Sequence, residues 1–328
     1  MKLLITGGAG YVGSHVNKLL SARGHRTVVL DNLVHGHHQF VKWGRLAKLD
    51  LANSAGVAQL LAAERFDAVL HFAGYIAVGE SVQAPEKYYQ NNVVNTLNLL
   101  AAIWAAGLRA FIFSSSAAVY GTPRRIPLDE EHPLEPINPY GRSKAVIEQA
   151  LRDFDAAHGL RSVSLRYFNA AGASREAEIG EWHEPEPHLI PLALDAAQGL
   201  RSSVKIYGGD YDTPDGTCIR DYVHVEDLAL AHALALDYLA DGGATDCFNL
   251  GNGRGFSVKE VIDAVRQVTG KPVAAETTAR RAGDAPRLIA SSEKARRVLG
   301  WRPQRDGLSD IVETAWRWHQ RLRGGEMD

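Results

Sequence analysis

Tyr140 and Lys144 are the two residues whose types and spacing most directly indicate chemistry. They follow Asn138 and Pro139, which are typical of the N-cap and the first position of a helix. A separation of four residues puts both side chains on one helix face, about 6 Å apart along the axis. The positive end of the helix dipole and the neighbouring ammonium both favour the ionised phenol, whose usual pKa is about 10. We therefore expect Tyr140 to act as a general base near neutral pH.

Three hydroxyl side chains follow one another at the end of the strand predicted at 110–114. Ser114, Ser115 and Ser116 lie where the carboxyl end of a parallel strand faces the ligand crevice. Ser116 is the candidate to hydrogen-bond the reacting oxygen and to share its proton. A tyrosine and a lysine four residues apart are, by themselves, typical of an ordinary helix face. The catalytic interpretation therefore depends on the motifs that accompany them.

A glycine-rich loop follows the first predicted strand and opens the first predicted helix. Gly8, Gly10 and Gly13 form the pattern G-x-G-x-x-G. Counted from Gly7, the same loop also contains G-x-x-G-x-x-G. Glycines let the backbone turn tightly and approach a pyrophosphate, whose charge is met by the free N–H groups at the helix start. Tight turns use glycine for structural reasons as well, so the loop needs a second signal.

That second signal is an acidic residue at the end of the second predicted strand. Asp31 comes 18 residues after Gly13, close to the spacing of about 20 expected for an acid that binds a ribose. A carboxylate at this place accepts hydrogen bonds from the adenosine ribose and repels a 2′-phosphate. The next residue is Asn32 rather than an arginine. The sequence therefore favours NAD over NADP as the cofactor.

Short apolar runs alternate with longer amphipathic ones, which predicts βαβ units and a parallel sheet covered on both faces. We expect an α/β fold, namely a Rossmann-type doubly wound parallel sheet with a smaller C-terminal α/β substrate domain. Residues 1–168 form the predicted cofactor domain, to which 216–250 return, and 169–215 with 251–328 form the second domain. Residues 251–328 contain two predicted helices. The predicted strands lie at 2–5, 27–30, 68–72, 110–114, 162–167 and 247–250, and the principal helices at 13–23, 55–64, 88–106 and 225–239 and from about 140.

The charge balance excludes several classes of protein. Thirty-six basic and 38 acidic residues give a formal net charge of −2, so we expect neither a nucleic-acid nor a membrane partner. Two distant cysteines support no Cys-based metal site, and the histidines at 35, 37 and 38 lack carboxylates at metal-ligand spacing. We therefore expect no metal. The apolar N-terminal run is too short for a signal peptide, which favours a cytoplasmic location.

Ten stretches of this chain match a known family. The chain resembles the extended short-chain dehydrogenase/reductases and, within them, the UDP-hexose 4-epimerases. The matching stretches are TGGAGYVGSH (6–15), HFAG (71–74), AVGESV (77–82), FSSSAAVYG (113–121), PYGRSK (139–144), LRYFNAAG (165–172), HLIP (188–191), DGTCIRDYVHVEDLA (215–229), FNLGNG (248–253) and RRAGD (280–284).

The resemblance implies a tightly held NAD and a UDP-sugar substrate (UDP-galactose or UDP-glucose). Tyr140 is then expected to take the proton of the sugar 4-hydroxyl while hydride leaves C4, and hydride returns to the opposite face of a 4-keto intermediate. Lys144 is expected to hold the cofactor ribose and keep the phenol ionised, and Ser116 to bind the reacting oxygen. A homodimer is also implied, with the helices at 97–106 and 145–157 as the candidate interface.

The resemblance also carries over binding residues, position by position. The implied NAD-binding residues are Gly7, Gly10, Tyr11, Val12, Gly13, Asp31, Asn32, Asp50, Leu51, Phe72, Ala73, Gly74, Asn91, Tyr140, Lys144 and Phe168. The implied UDP-sugar-binding residues are Ser116, Tyr140, Asn169, His188, Leu189, Arg220, Arg281 and Asp284. Arginines suit a diphosphate because their planar fork binds it at two points.

Four positions depart from the family pattern, and one of them is Ala118, which stands where a threonine is common. Ile76 replaces a lysine near the cofactor, and His188 replaces an asparagine of the sugar-nucleotide site. Leu288 stands where some members carry a tyrosine that limits the pocket. The preferred sugar, whether hexose, N-acetylhexosamine or pentose, therefore stays open.

Two alternatives accompany this interpretation. Nucleotide-sugar 4,6-dehydratases and decarboxylases share the scaffold, but the dehydratases carry an Asp-Glu pair where this chain has Ala117 and Ala118, and the decarboxylases usually carry an acid there. A non-enzymatic NAD-sensing protein is the second alternative, because a fold does not fix a function. Such proteins usually lose the tyrosine or the lysine, whereas Tyr140 and Lys144 are both present here.

Overall fold

A seven-stranded, entirely parallel sheet forms the centre of the computed structural model, which describes residues 1–281 and 284–325. Its strand order is β11-β6-β5-β4-β1-β2-β3. The strands are β1 (Lys2–Thr6), β2 (Arg26–Asp31), β3 (Arg45–Lys48), β4 (Ala68–His71), β5 (Ala110–Ser116), β6 (Arg161–Tyr167) and β11 (Asp246–Leu250). The order reverses next to β1, so the crevice at the carboxyl ends of β1 and β4 is the place where such sheets bind ligands.

Both faces of the sheet are covered by helices, as the apolar runs predict. Along β1, Leu3 and Ile5 point into one core and Leu4 into the opposite core, because successive side chains of a strand alternate. The first core is closed by α1 (Tyr11–Ala22) and α8 (Val225–Ala240). The opposite core is closed by α2 (Ser54–Ala63), α5 (Asn95–Ala105) and α6 (Pro139–His158). The predicted doubly wound Rossmann-type fold is confirmed.

A third apolar core lies in the C-terminal half and joins three helices to the short strand β8 (Val204–Tyr207). The helices are α7 (Leu189–Ala197), α9 (Val258–Thr269) and α11 (Leu308–Arg323), and β13 (Ala275–Thr278) pairs with β8. The remaining elements are α3 (Val78–Gln83), α4 (Pro85–Tyr88), α10 (Glu293–Val298), β7 (Asn169–Ala171), β9 (Ile219–Arg220), β10 (Tyr222–His224), β12 (Phe256–Ser257) and β14 (Arg287–Leu288). The exact division into domains stays a prediction.

Several local predictions are wrong. The single helix expected at 88–106 is divided, because a wide π-helical stretch at Tyr89–Val94 separates α4 from α5. The edge strand β3 and the two- to four-residue strands of the C-terminal half carry too few residues to form a recognisable pattern. The described residues after 251 form three helices rather than two. The additional helix, α10, is only six residues long and too short to leave a recognisable pattern.

A buried ion pair fastens α6 to the sheet. Arg166 of β6 donates to both carboxylate oxygens of Glu148 on α6, with 2.5 Å between Nη2 and Oε2, and both side chains are almost fully buried. Ser115 of β5 donates to the same carboxylate at 2.6 Å. Tyr120 accepts a further bond from the guanidinium at 2.9 Å. The pair therefore joins one helix to two strands of the sheet.

We predict that Glu148→Ala lowers the free energy of unfolding by about 3–5 kcal/mol, because it leaves the guanidinium of Arg166 buried without its counter-charge. The measurement is the midpoint of urea unfolding. The control is Glu313→Ala, which removes an exposed pair with Arg317 on α11 and is expected to cost within about 1 kcal/mol. Equal midpoints for the two variants would contradict the anchoring role.

Candidate active site

The three predicted catalytic residues meet at the carboxyl end of β5. The helix α6 begins as expected, since Asn138 accepts a hydrogen bond from the backbone N–H of Gly141 at 2.8 Å. This start puts Tyr140 and Lys144 on the face of α6 that packs against the sheet, and both are buried. Ser116 ends β5 and lies beside the phenol.

The Ser116 hydroxyl lies close enough to the phenol of Tyr140 to act on its ionisation as a hydrogen-bond donor. The Ser116 oxygen also accepts from the backbone N–H of Ala118 at 3.2 Å, so its own proton is free to be donated to the phenol oxygen. This bond lowers the pKa of Tyr140, but burial has the larger effect and raises it above the usual value. The protein groups alone therefore do not lower the pKa of Tyr140 as expected, because burial outweighs the groups that favour the ionised phenol.

Lys144 donates to the backbone oxygen of Ser114 at 2.8 Å, and its ammonium lies 5.8 Å from the centre of the Tyr140 ring. Burial lowers the pKa of Lys144 to about 8, and the Coulombic attraction of Glu148 opposes that decrease. The amine is therefore mostly protonated at pH 7. A cation is held next to the phenol, one turn of helix away from the buried ion pair.

The glycine loop has the tight geometry that its sequence predicts. Gly7 has a positive φ of 70°, and a Cβ there would lie 2.5 Å from the backbone nitrogen of Ala73. A Cβ on Gly13 would lie 2.4 Å from the oxygen of Gly7, so only glycine lets α1 start this close to the loop. No acidic side chain and no side-chain cap neutralise the first turn of α1, which begins at Tyr11. The N-terminus of α1 is thus open to an anion.

Asp31 ends β2 next to this loop and is buried. Its carboxylate accepts from the backbone N–H of Ala9 at 3.0 Å and of Leu33 at 2.9 Å. Asn32 donates to Asp50 at 2.8 Å, so the predicted cofactor residues of this strand end lie together. Burial raises the pKa of Asp31, and the two backbone hydrogen bonds oppose that increase. The acid holds the glycine loop in place, a role that the motif did not reveal.

The segment after β4 is hydrogen-bonded to the end of β1, directly before the glycine loop. The backbone N–H groups of Phe72 and Ala73 both donate to the oxygen of Thr6, at 2.8 and 3.1 Å. Gly74 is closely packed against Asn92 on the π-helical stretch. These contacts bring the predicted residues of the 71–74 motif to the same crevice as the loop.

Sequence reasoning missed Asn92. Its side chain is buried, accepts from the backbone N–H of Tyr75 and donates to the oxygen of the same residue, both at 2.9 Å. The predicted neighbour, Asn91, donates to Asn92 at 2.9 Å. The signal in the sequence was the pair of adjacent amides within an otherwise helical pattern.

Two predicted UDP-sugar residues form an ion pair. The guanidinium of Arg220 lies 3.3 Å from the carboxylate of Asp284. Arg281 is near in the chain, and its guanidinium lies over the ring of Tyr207 at 3.7 Å. Asn169 donates to the backbone oxygen of Asp221, the residue next to Arg220, at 2.9 Å. Tyr207 lies outside the matching stretches, and Asp221 lies inside the stretch 215–229 but had no predicted role.

The other predicted residues contribute packing or lie at the edge of this region. Tyr11 donates to the backbone oxygen of Gly172 at 2.6 Å. Phe168 and Leu288 pack against one apolar cluster around Tyr120. His188 precedes α7 and bonds Glu181 at 2.5 Å. The remaining side chains lie in different parts of the molecule. Val12 and Leu51 are packed in the cores on opposite faces of the sheet. Leu189 is packed against the C-terminal core, and Ile76 is exposed.

Comparisons with known proteins agree with this geometry. The profile of the NAD dependent epimerase/dehydratase family matches residues 3–251. The UDP-glucose 4-epimerase of Rhizobium meliloti (strain 1021) is 54% identical over 323 residues, which cover 98% of each chain.

Solved structures agree as well. The UDP-glucose 4-epimerase of Brucella ovis, solved with NAD, is 46% identical with a TM-score of 0.95 and covers 97% of this chain and 98% of its own. The enzyme of Bifidobacterium longum, solved with NAD⁺ and UDP, is 37% identical with a TM-score of 0.94 and covers 99% of this chain and 100% of its own. The chain belongs to the NAD-dependent epimerase/dehydratase family.

Proposed function

We propose that this protein is an NAD-dependent epimerase that inverts C4 of a UDP-sugar and interconverts UDP-galactose and UDP-glucose. The observation that carries the proposal is the convergence of Ser116, Tyr140 and Lys144 at the carboxyl end of β5, on the same edge of the parallel sheet as the glycine loop. The full-length relatives that carry the name UDP-glucose 4-epimerase support it. Ala117 and Ala118 provide no acid next to Ser116, which disfavours a 4,6-dehydratase.

The residues around the loop fit NAD. A positive helix start without a neutralising acid suits the pyrophosphate, and a buried Asp31 at the end of β2 suits the adenosine ribose. NAD⁺, when bound, supplies reversible hydride transfer at C4 of the sugar. The residues proposed to hold it are Gly7, Gly10, Tyr11, Val12, Gly13, Asp31, Asn32, Asp50, Leu51, Phe72, Ala73, Gly74, Asn91, Tyr140, Lys144 and Phe168.

Tyr140 moves the proton. Its ionised phenol accepts the proton of the 4-hydroxyl as C4 becomes a keto carbon, and returns the proton when the hydroxyl is restored. Ser116 donates a hydrogen bond to the phenol oxygen, and the same hydroxyl can instead donate to the sugar oxygen. The serine oxygen stays in place because it accepts a hydrogen bond from the backbone N–H of Ala118. Lys144 keeps a positive charge near the phenol and so favours its ionised form.

The UDP-sugar is proposed to lie between the catalytic residues and the C-terminal half. Arg220 and Arg281 are proposed to bind the diphosphate, and Asp284 the uridine ribose. Asn169, His188 and Leu189 complete the proposed contacts. We also propose that 169–215 and 251–328 form the sugar-nucleotide domain and 1–168 the cofactor domain. The return of 216–250 to the latter is supported by α8 against α1 and by β11 in the main sheet.

We predict that the purified protein converts UDP-galactose to UDP-glucose without added NAD, as followed by proton NMR. Tyr140→Phe is expected to lower turnover by about 10²–10⁴-fold, the loss typical of a missing acid–base group. The bound cofactor, released by heating and quantified by absorbance, is expected to stay near the wild-type amount.

The matched control is Tyr89→Phe, which removes the hydroxyl of an exposed tyrosine and is expected to leave turnover unchanged. A panel of UDP-glucose, UDP-galactose, their N-acetyl forms, UDP-xylose and UDP-arabinose defines the sugar. No turnover of any of these by cofactor-loaded protein would refute the proposed function. Near-normal activity of Tyr140→Phe would remove this residue from the mechanism.

We predict that Ser116→Ala moves the rise of turnover with pH to higher pH. The Ser116 hydrogen bond lowers the pKa of Tyr140, so its removal raises that pKa and fewer phenols are ionised at pH 7. A hydrogen bond to a charged group contributes about 1.5–3 kcal/mol, which corresponds to a shift of about 1–2 pH units. The profile of turnover from pH 6 to 10 measures it. Ser202→Ala, at an exposed serine, serves as the control, and an unshifted profile for Ser116→Ala would contradict this role.

The predicted homodimer is proposed to form through α5 and α6. Leu97 and Trp104 on α5 and Val146 on α6 are exposed apolar side chains, which is typical of a surface that a partner covers. We predict a dimer in sedimentation velocity and a monomer for the double variant Leu97→Glu/Val146→Glu. Leu200→Glu, at an exposed leucine outside these helices, is the control and keeps the dimer. A wild-type monomer would refute the interface.

No helix within 1–281 or 284–325 has the length and apolar character needed to cross a membrane.

A further inference from the structure

Four potential metal ligands converge just before α7. None is a proposed catalytic residue, and one, His188, is also a proposed UDP-sugar contact, for which its second ring nitrogen, Nε2, stays available when Nδ1 binds an ion. Glu181, His183, Glu186 and His188 lie within eight residues of chain and form the spacing E-x-H-x-x-E-x-H. One ligand atom from each side chain lies within 4.8 Å of the others. Both imidazoles direct their Nδ1 atoms towards both carboxylates. We call this group the 181–188 cluster.

Three separations in the 181–188 cluster are close to those between the ligands of a tetrahedral ion, and all the ligand atoms lie within 4.8 Å of one another. The Nδ1 atom of His183 lies 3.5 Å from Glu181 and 3.4 Å from Glu186, and that of His188 lies 3.4 Å from Glu186. Zinc bonds of about 2.0–2.1 Å place tetrahedral ligands roughly 3.3 Å apart. The one shorter contact, 2.5 Å between His188 and Glu181, is a hydrogen bond that an ion would replace.

The hydrogen bonding of the 181–188 cluster is incomplete without an ion. The Nδ1 atom of His183 is buried, lies among the carboxylates and has no hydrogen-bond partner within the described chain. The side chains of Glu181 and Glu186 are only 7% and 10% exposed. Two carboxylates held this close and this far from water are costly unless a positive charge accompanies them. One divalent cation with two neutral imidazoles neutralises the pair.

We propose that the 181–188 cluster binds one divalent transition-metal ion, for which zinc is the best fit. Imidazole nitrogens and carboxylate oxygens are both established zinc ligands, and imidazole favours zinc over magnesium or calcium. Four protein ligands fill a tetrahedral shell and leave no position for a reacting water, which is the arrangement of a structural rather than a catalytic zinc. The site therefore holds the chain in place.

The segment that the ion would fasten is packed against the predicted cofactor side of the molecule. Trp182, between two of the ligands, stacks on His37 with 3.7 Å between the ring centres. The backbone oxygen of Glu181 accepts from the indole of Trp318 at 2.8 Å. The Tyr11 ring of the glycine loop lies edge-on to His183 at 6.5 Å. The ion would thus join the loop before α7 to the first turn of α1.

The test uses the full-length protein purified without chelators or a histidine tag. Mass spectrometry of the metals is expected to find about one zinc per chain. After removal of zinc with pyridine-2,6-dicarboxylate, added Co²⁺ is expected to give the strong visible absorption of a tetrahedral cobalt site. His183→Ala is expected to lose the zinc and to weaken affinity by more than the roughly 10–100-fold that loss of an outer-shell partner costs.

Controls separate metal loss from misfolding. His158→Ala removes an exposed histidine at the end of α6 and is expected to keep both the zinc and the cobalt spectrum. Circular dichroism is expected to be unchanged in both variants. The wild-type cobalt titration does not depend on any variant folding. Wild-type protein that retains no zinc and gives no tetrahedral cobalt spectrum would overturn the proposal, as would full zinc content in His183→Ala. None of these readouts depends on epimerase activity.

Discussion

The arrangement of the proposed catalytic groups depends on one buried interaction, the ion pair between Glu148 and Arg166. This pair, with Ser115, fixes α6 against β5 and β6. Lys144 lies one helical turn before Glu148 and is held by the backbone of Ser114. Because the helix and the end of β5 are held together, the phenol of Tyr140 and the hydroxyl of Ser116 meet although the irregular segment 120–138 lies between them in the chain. The strand β5, the helix α6 and the Glu148–Arg166 ion pair therefore define the geometry of the reacting groups.

The same burial that fixes these groups also sets their charges. Burial disfavours both ions, so it raises the pKa of Tyr140 and lowers that of Lys144 to about 8. Glu148 acts in the opposite direction on Lys144, and Ser116 does so on Tyr140. The anchor of the helix is therefore also a counter-charge for the lysine. Burial and Ser116 thus act on the pKa of Tyr140 in opposite directions, and positive charge brought next to the phenol favours its ionised, basic form.

The sequence predicts the parts of this molecule that are carried by local patterns. The sheet follows from its apolar runs, the start of α6 from Asn138 and Pro139, and the glycine loop from the steric limits at Gly7 and Gly13. Contacts between distant segments were not predictable, since no local pattern brings Arg166 to Glu148. The raised pKa of Tyr140 escaped prediction because burial cannot be measured from residue spacing. The ligand spacing of the 181–188 cluster is present in the sequence, but spacing alone does not show that the four side chains converge.

In the proposed reaction, the hydrogen on C4 of the sugar moves as hydride within the site, while only the proton of the 4-hydroxyl passes through Tyr140. The most direct measurement is conversion of unlabelled UDP-galactose in D₂O, with NMR and mass spectrometry of the UDP-glucose formed. The account predicts a product without deuterium on C4, since the migrating hydrogen never becomes a solvent-exchangeable proton. Solvent deuterium on that carbon would contradict the account, because the hydrogen would then have left as a proton.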